Sequence, residues 1–460
     1  MWWVLSALLL LLAALLLESG LLAYAMYVLL GVLLLSRWLS RSWAEGLQAR
    51  RIVHKAGATE DEKALGEGLA LEIGDRLIVR LIVENLGYLP IPWVLLDDAL
   101  PGGLEARQPK FKVKGRRLQV GMLAGRGKLT MKYSLTCLAR GYQQIGPLVL
   151  ETGDLFGLHR RYRILAEPRF VLVYPRIVPL SGYDLASRRP IGDVILTHRL
   201  FEDPTRIAGV REYQTGDPLN RVHWKVTART GQLHCKINEP STLSGATVLL
   251  DFHRDSYPRR GEPMRSELAV TTAVSLAHAV FLLGQQIGLV CNGRDAAERI
   301  RTEGWNARPA SRAEAQQTAA EQGEVRKIEP LVVPTRRGAE QLQRIREVLA
   351  RVELSEVLDL PTLLVESAHR LPRDATVLAV LGAVSVEAAI ALGNLRRRGM
   401  AVAVVLVCLN EDGLELAHAR LITEGIRDLR HLQSEAELPD VCQQQVHRLS
   451  HYDFATPGGG

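Results

Sequence analysis

Apolar positions open the chain in two runs without a charge, Met1–Leu17 and Leu21–Leu35, parted by Glu18-Ser19-Gly20 and followed by Arg37, Arg41, Arg50, Arg51 and Lys55. Leu and Ala surround both runs and leave no polar face, as in helices that lie in lipid. Each run is near the lower limit of ~17–25 residues for a bilayer span. Trp2, Trp3, Trp38 and Trp43 extend the reach by sitting at headgroup level. Glu-Ser-Gly suits a tight turn, since Gly takes φ > 0 without steric cost. Residues 1–43 therefore predict a two-span transmembrane hairpin. The positive charges follow the second span, which places its end and the bulk of the chain on the cytoplasmic side of the cell membrane.

Over residues 44–180 the pattern becomes one of short β-branched runs between Gly and Pro. Leu77–Val83 ends at an Asn85-Leu86-Gly87 turn, and Leu118–Met122, Leu129–Thr136, Leu148–Leu150 and Phe170–Tyr174 are further strands. Such spacing predicts an all-β sandwich of immunoglobulin-like class, joined to the hairpin by a short linker. Over 247–454 continuous apolar strands alternate with helices. The strands are Val248–Leu250, Ile287–Val290, Thr376–Leu381 and Met400–Leu409; the helices are Arg265–Leu283, Gly338–Arg351, Ser355–His369 and Val386–Arg398. That alternation predicts an α/β doubly wound domain with a parallel sheet covered on both faces. Residues ~305–325 read as an exposed loop or frayed helix, and 455–460 as a disordered tail.

At 460 residues the chain is too long for one ordinary core. The net charge of +7 is too mild and dispersed to indicate nucleic acid, and part of it lies where anionic lipid attracts it. Five widely spaced cysteines form no CxxC and no disulfide framework, which fits reduced thiols in the cytoplasm.

The densest information lies in the connector, residues 181–246. Asp217 is a good N-cap, Pro218 suits the first helical turn and Gly231 suits the left-handed residue past the end, so a basic helix is predicted over 218–229. Arg221, Lys225 and Arg229 recur at i, i+4 and i+8 and share one face. They form either a docking surface for an anionic partner or a row neutralised within the chain by Glu212, Glu239 or Asp255. The order Arg211-Glu212-Tyr213-x-x-Gly216-Asp217, then Arg221-x-His223-Trp224-Lys225-x-x-Ala228-Arg229, resembles the core motif of the domain of unknown function 58 family. The upstream Arg140-Gly141-Tyr142, Gly146-Pro147 and Asp154–Leu158 resemble that family's sandwich motif. The resemblance implies a membrane anchor, a von Willebrand factor A-like C-terminal half and a MoxR-type AAA ATPase as partner.

A metal-binding von Willebrand A domain uses Asp-x-Ser-x-Ser after its first strand, hard oxygen ligands for Mg²⁺. Here Asp251 matches, but His253 and Asp255 replace the serines, and Thr335 is the candidate for the later Thr. The set reads as a degenerate remnant with at most loose Mg²⁺ at Asp251, so no cofactor is expected. No GxxxxGK[ST], HExxH or GxSxG is present. His198, His223, His234 and His253 match no zinc spacing. The expectation is a non-enzymatic, membrane-anchored adaptor that docks a protein partner in envelope-related or protein-complex assembly. The alternative is a metal-dependent hydrolase built on Asp251, His253 and Asp255.

Overall fold

The structure, a computed structural model, describes residues 20–57, 70–100, 109–154, 159–181, 201–213, 222–241, 245–258, 260–304, 329–372 and 375–442. The apolar stretch 1–17, the segment 305–325 and the tail therefore lie outside the described residues. The chain divides into two compact units, Met1–Pro175 with Ala296–Val325 and Arg176–Asp295 with Arg326–Gly460.

The first unit begins with helix α1 (Gly20–Glu45). Among the described residues no helix is long and apolar enough to cross a membrane. The described apolar part of α1 ends at Leu35, so it spans roughly 24 Å at ~1.5 Å per residue, short of the ~30 Å hydrocarbon core. No linker follows α1. It runs directly into β1 (Leu47–Lys55), and Trp43 and Ala44 of its last turns are buried in the core that β1 helps enclose. This replaces the expected short linker, because Trp43 is already buried in the core that Leu47, the first residue of β1, also enters, which leaves no free segment between helix and sheet.

The strands that follow are β2 (Ala70–Glu72), β3 (Arg76–Asn85), β4 (Ile91–Asp98), β5 (Phe111–Gly115), β6 (Leu118–Leu123), β7 (Lys128–Cys137), β8 (Gly141–Ile145), β9 (Leu148–Gly153), β10 (Arg160–Ala166) and β11 (Arg169–Tyr174). Two four-stranded antiparallel sheets, β1-β3-β7-β5 and β10-β9-β4-β6, and a smaller sheet β2-β11-β8 result. Strand period explains the packing: Leu77, Val79, Leu81 and Val83 of β3 point inward, as do Met131, Tyr133 and Leu135 of β7. They meet Val94 and Leu96 of β4 and Leu148 and Leu150 of β9 in one core. Inside it lies an ion pair. Arg51 binds Asp98 with side chains only 5% and 0% exposed, and Asp98 also accepts from the Tyr133 hydroxyl. A Cβ on Gly146 would overlap the Arg51 guanidinium, and φ there is +92°, so both space and backbone require glycine.

In the second unit β12 (Phe201–Glu212) and β13 (His234–Ser241) form an antiparallel ribbon with helix α2 (Trp224–Thr230) in their connection. The remaining elements are β14 (Gly245–Leu250), α3 (Met264–Leu282), β15 (Gln286–Cys291), β16 (Arg294–Asp295), α4 (Ala296–Glu303, grouped with the first unit), β17 (Leu331–Arg336), α5 (Ala339–Arg351), β18 (Val352–Glu353), α6 (Leu360–Ser367), β19 (Ala375–Leu381), α7 (Val386–Arg397), β20 (Val402–Val407), α8 (Glu411–Thr423) and β21 (Asp428–Leu432). Six strands make one sheet in the order β17-β15-β14-β19-β20-β21, parallel except for the edge strand β17, which runs antiparallel to β15. Successive residues serve opposite faces. Val248 and Leu250 join α3 and α5 in one core, while Leu249 joins α6, α7 and α8 in the other. Continuous apolar strands follow, because both faces are covered.

Candidate functional site

Two places in the second unit hold the sequence-predicted residues. The first is the ribbon and its helix. Cys235 is the register point, opposite Arg211 in the ribbon and bridged to Val222 just before α2. Val222 and Cys235 are buried, and the Tyr213 amide donates to Leu233 O at 2.9 Å. The helix does not start at Pro218: it runs Trp224–Thr230, and its N-cap is His223, whose Nδ1 accepts from the Val226 amide at 3.3 Å. The His223 amide is spent on His234 O at 2.7 Å, a ribbon contact that holds residue 223 out of helical pairing. Gly231 does close the helix, at φ 73°. Gly216, Asp217 and Arg221 lie outside the described residues, so Asp217 caps no described helix and the cationic row is represented by Lys225 and Arg229.

No residue of α2 is buried. Trp224 is 67% exposed, and Lys225 and Arg229 are exposed and make no ion pair with a described side chain. Asp255, weighed as a neutralising partner, is instead 91% exposed beside His253. An exposed indole on a helix whose two cations pair with no described side chain is well suited to a partner.

The second place is the end of β14. Asp251 is 2% exposed, and both of its carboxylate oxygens are occupied by donors of the chain. Asn292 Nδ2 donates to Oδ1 at 2.8 Å, the His253 amide to Oδ1 at 3.3 Å, and Ser256 Oγ to Oδ2 at 2.5 Å. Asn292, buried after β15, turns its Oδ1 to the Phe252 amide and its Nδ2 also to Leu358 O at 3.0 Å. Tyr257 Oη donates to Asp251 O at 2.7 Å. Burial raises the Asp251 carboxyl above its ordinary range, against the lowering contributed by Ser256, Asn292 and His253.

These residues do not fit a divalent ion. Asp251 spends its lone pairs on protein donors, and Asp255 points outward. Thr335 stands at the wrong end of the sheet: its hydroxyl is 2.9 Å from that of Thr247, near the start of β14, because β17 runs antiparallel. Among the described residues no three His, Cys, Asp or Glu side chains gather in metal-binding geometry. Arg254 pairs with Glu356 on the surface.

The crevice at the carboxyl ends of β14 and β19, where open α/β sheets take ligands, is filled. A Cβ on Gly382 would lie 2.6 Å from Ser256 O and 2.6 Å from the Tyr257 ring. Gly382→Ala is accordingly expected to destabilise the protein by ~1–3 kcal/mol through overpacking, read as a lower denaturation midpoint. Unchanged stability would show the crevice to be open. Sequence reasoning missed Asn292, Ser256 and Tyr257; a lone Asn directly after the apolar run Ile287–Cys291 was the available signal for the first.

The uncharacterized protein YeaD of Bacillus subtilis (strain 168) is 27% identical over 227 residues, covering 49% of this chain and 54% of that protein. The chain thus spans about half the length of the curated relative it matches. Among solved structures, an ASH / PapD-like domain of human CEP192 is 17% identical over 28% of this chain and 83% of that chain, at a TM-score of 0.17. A FixG-related protein from Vibrio parahaemolyticus is 11% identical over 27% of this chain and 95% of that chain, at a TM-score of 0.16. At such scores these likenesses carry no argument about fold. The more specific match falls on the ribbon helix and the first strands of the sheet: residues 209–319 are similar to the family described as protein of unknown function DUF58.

Proposed function

We propose that this chain is a membrane-anchored adaptor that docks a protein partner through α2, with the first unit as an immunoglobulin-like spacer and the second as a von Willebrand factor A-like scaffold. The observation that carries the reading is Trp224 exposed on a helix with no buried residue, together with Lys225 and Arg229, which pair with no described side chain. The motif resemblance points to a MoxR-type AAA ATPase as the partner. The anchor is supported by the apolar runs of residues 1–35 and by Leu21, Tyr24, Val28, Leu34 and Leu35, all exposed on α1. Trp38, 57% exposed, extends that surface toward the headgroups. The hydrolase alternative gains no support, since the Asp251 carboxylate is saturated by Asn292 and Ser256.

The test is co-purification of the full-length protein from its own membranes in detergent, with and without ATP and Mg²⁺. Trp224→Ala with Lys225→Glu and Arg229→Glu is expected to reduce partner retention about tenfold or more, the scale of hot-spot loss. Stability should change by no more than ~0.5 kcal/mol, because all three side chains are on the surface. Full retention of every co-purifying protein by this variant would sink the docking reading.

A further inference from the structure

The end of the first unit from which α1 leaves carries a second apolar surface. Ser36 Oγ donates to Asp154 Oδ2 at 2.8 Å and lies 3.0 Å from His159 Nδ1, so the helix is held at the residue that follows β9. Trp93 of β4 donates its indole N–H to Asp154 O at 3.3 Å, and Ile91 at the start of β4 pairs with Leu123. The end of β9, the start of β4 and the end of β6 therefore share one end of the sheets. The loop 86–90 enters β4 at that end and touches the residue between α1 and β1, the Leu86 amide donating to Gly46 O at 2.9 Å.

This loop and its neighbour, 124–127, form a single stiff rim. Buried Asn85 ties them, donating to Leu89 O at 2.9 Å and to Ala124 O at 3.0 Å, and the Arg126 amide donates to Gly87 O at 2.9 Å. A Cβ on Gly125 would overlap the Tyr88 carbonyl, so the two backbones touch. The rim presents Tyr88 (78% exposed), Met122 (77%), Leu86 (53%) and Leu89 (43%). Arg126 lies over the Tyr88 ring at 4.3 Å and donates to its hydroxyl.

We infer that this rim is a bilayer-contacting surface: Leu86, Tyr88, Leu89 and Met122 enter the headgroup zone and Arg126 meets lipid phosphate. Four exposed apolar or aromatic side chains on backbone tied in place, with an arginine on the tyrosine ring, match the side chains that settle at a membrane interface. Three observations choose lipid as the occupant. The apolar helix leaves from the same end, Arg37 of that helix adds exposed positive charge (Arg41, also exposed, pairs with Glu45), and the rim's own charge is a cation suited to anionic headgroups. The inference rests on the proposed anchor, and it turns a tether into a two-point attachment that fixes the unit's orientation.

The experiment uses the full-length protein in phosphatidylethanolamine–phosphatidylglycerol vesicles containing doxyl-labelled lipid. A nitrobenzoxadiazole label is attached through Tyr88→Cys, or through Ile73→Cys at the opposite end of the same sheet, with Cys408→Ser and Cys442→Ser as background. Ile73 is exposed, and the adjacent Gly74 amide binds Cys137 O at the far end of β7. The expected result is quenching several-fold stronger at position 88 than at 73. Equal quenching of the two labels, in protein that resists alkaline carbonate extraction, overturns the rim inference and leaves the anchor standing. Release by carbonate overturns the anchor and the rim together.

Discussion

Asp98→Ala is expected to cost ~3–5 kcal/mol of stability. The substitution leaves Arg51, whose side chain is 5% exposed, as an uncompensated buried cation. It also strands the Tyr133 hydroxyl, which is buried in the same core and donates to Asp98. Arg51 retains its bond to Glu167 O, so the loss does not reach the full cost of an isolated charge. Denaturant titration of the full chain measures the shift. Tyr133→Phe removes one hydrogen bond to a charged group and should cost ~1.5–3 kcal/mol, less than the aspartate change. Equal and small effects from both would mean that water reaches the pair.

Asp251 offers a sharper contrast between two substitutions. Asp251→Ala deprives Asn292 Nδ2 and Ser256 Oγ of their acceptor in a site 2% exposed, and each stranded group costs ~1–3 kcal/mol. Asp251→Asn keeps an acceptor for Asn292 and offers Ser256 a donor, so it should lie close to the parent. A metal ligand would behave otherwise, since neither variant would replace its charge. The pH dependence follows from burial. The native pKa is raised above the unfolded value of ~3.9. The stability Asp251 contributes is thus complete below that unfolded value and is lost as pH rises through the native one. Asp251→Asn removes this loss and should gain on the parent from pH ~4 upward. A parent that instead gains on Asp251→Asn as pH rises would refute the assignment.

The α/β half was legible because its strands are buried on both faces and read as continuous apolar runs. Val248–Leu250 and Thr376–Leu381 lie within β14 and β19, and Met400–Leu409 contains the shorter β20 (Val402–Val407). The first unit was less legible where charge or proline interrupts a strand. β1 carries Arg50 and Arg51, the second of which pairs inside the core, and β4 carries Pro92 where the register with β6 shifts between Ile91 and Val94. The α2 start was misread because its cap is an imidazole, outside the usual Ser, Thr, Asp and Asn set, while Asp217-Pro218 imitates the usual signal. Its end was legible because only the left-handed Gly231 could close it. At the β14 end, Asp251 stood out in the sequence, but its true partners come from β15 and a short turn. Strand direction, which no local pattern reveals, sent Thr335 to the other end.

The absence of a joint between α1 and the first core has a mechanical consequence. A flexible tether of n residues wanders by ~5–6 Å × √n and stores slack that must be taken up before load is felt. Here the buried Trp43 and the Ser36–Asp154 clasp remove that slack. A pull or a twist applied to the first unit arrives at Gly20 undiminished, and any tilt of the helix swings the unit through the same angle. An ATP-driven partner working on this chain would be turning a shaft.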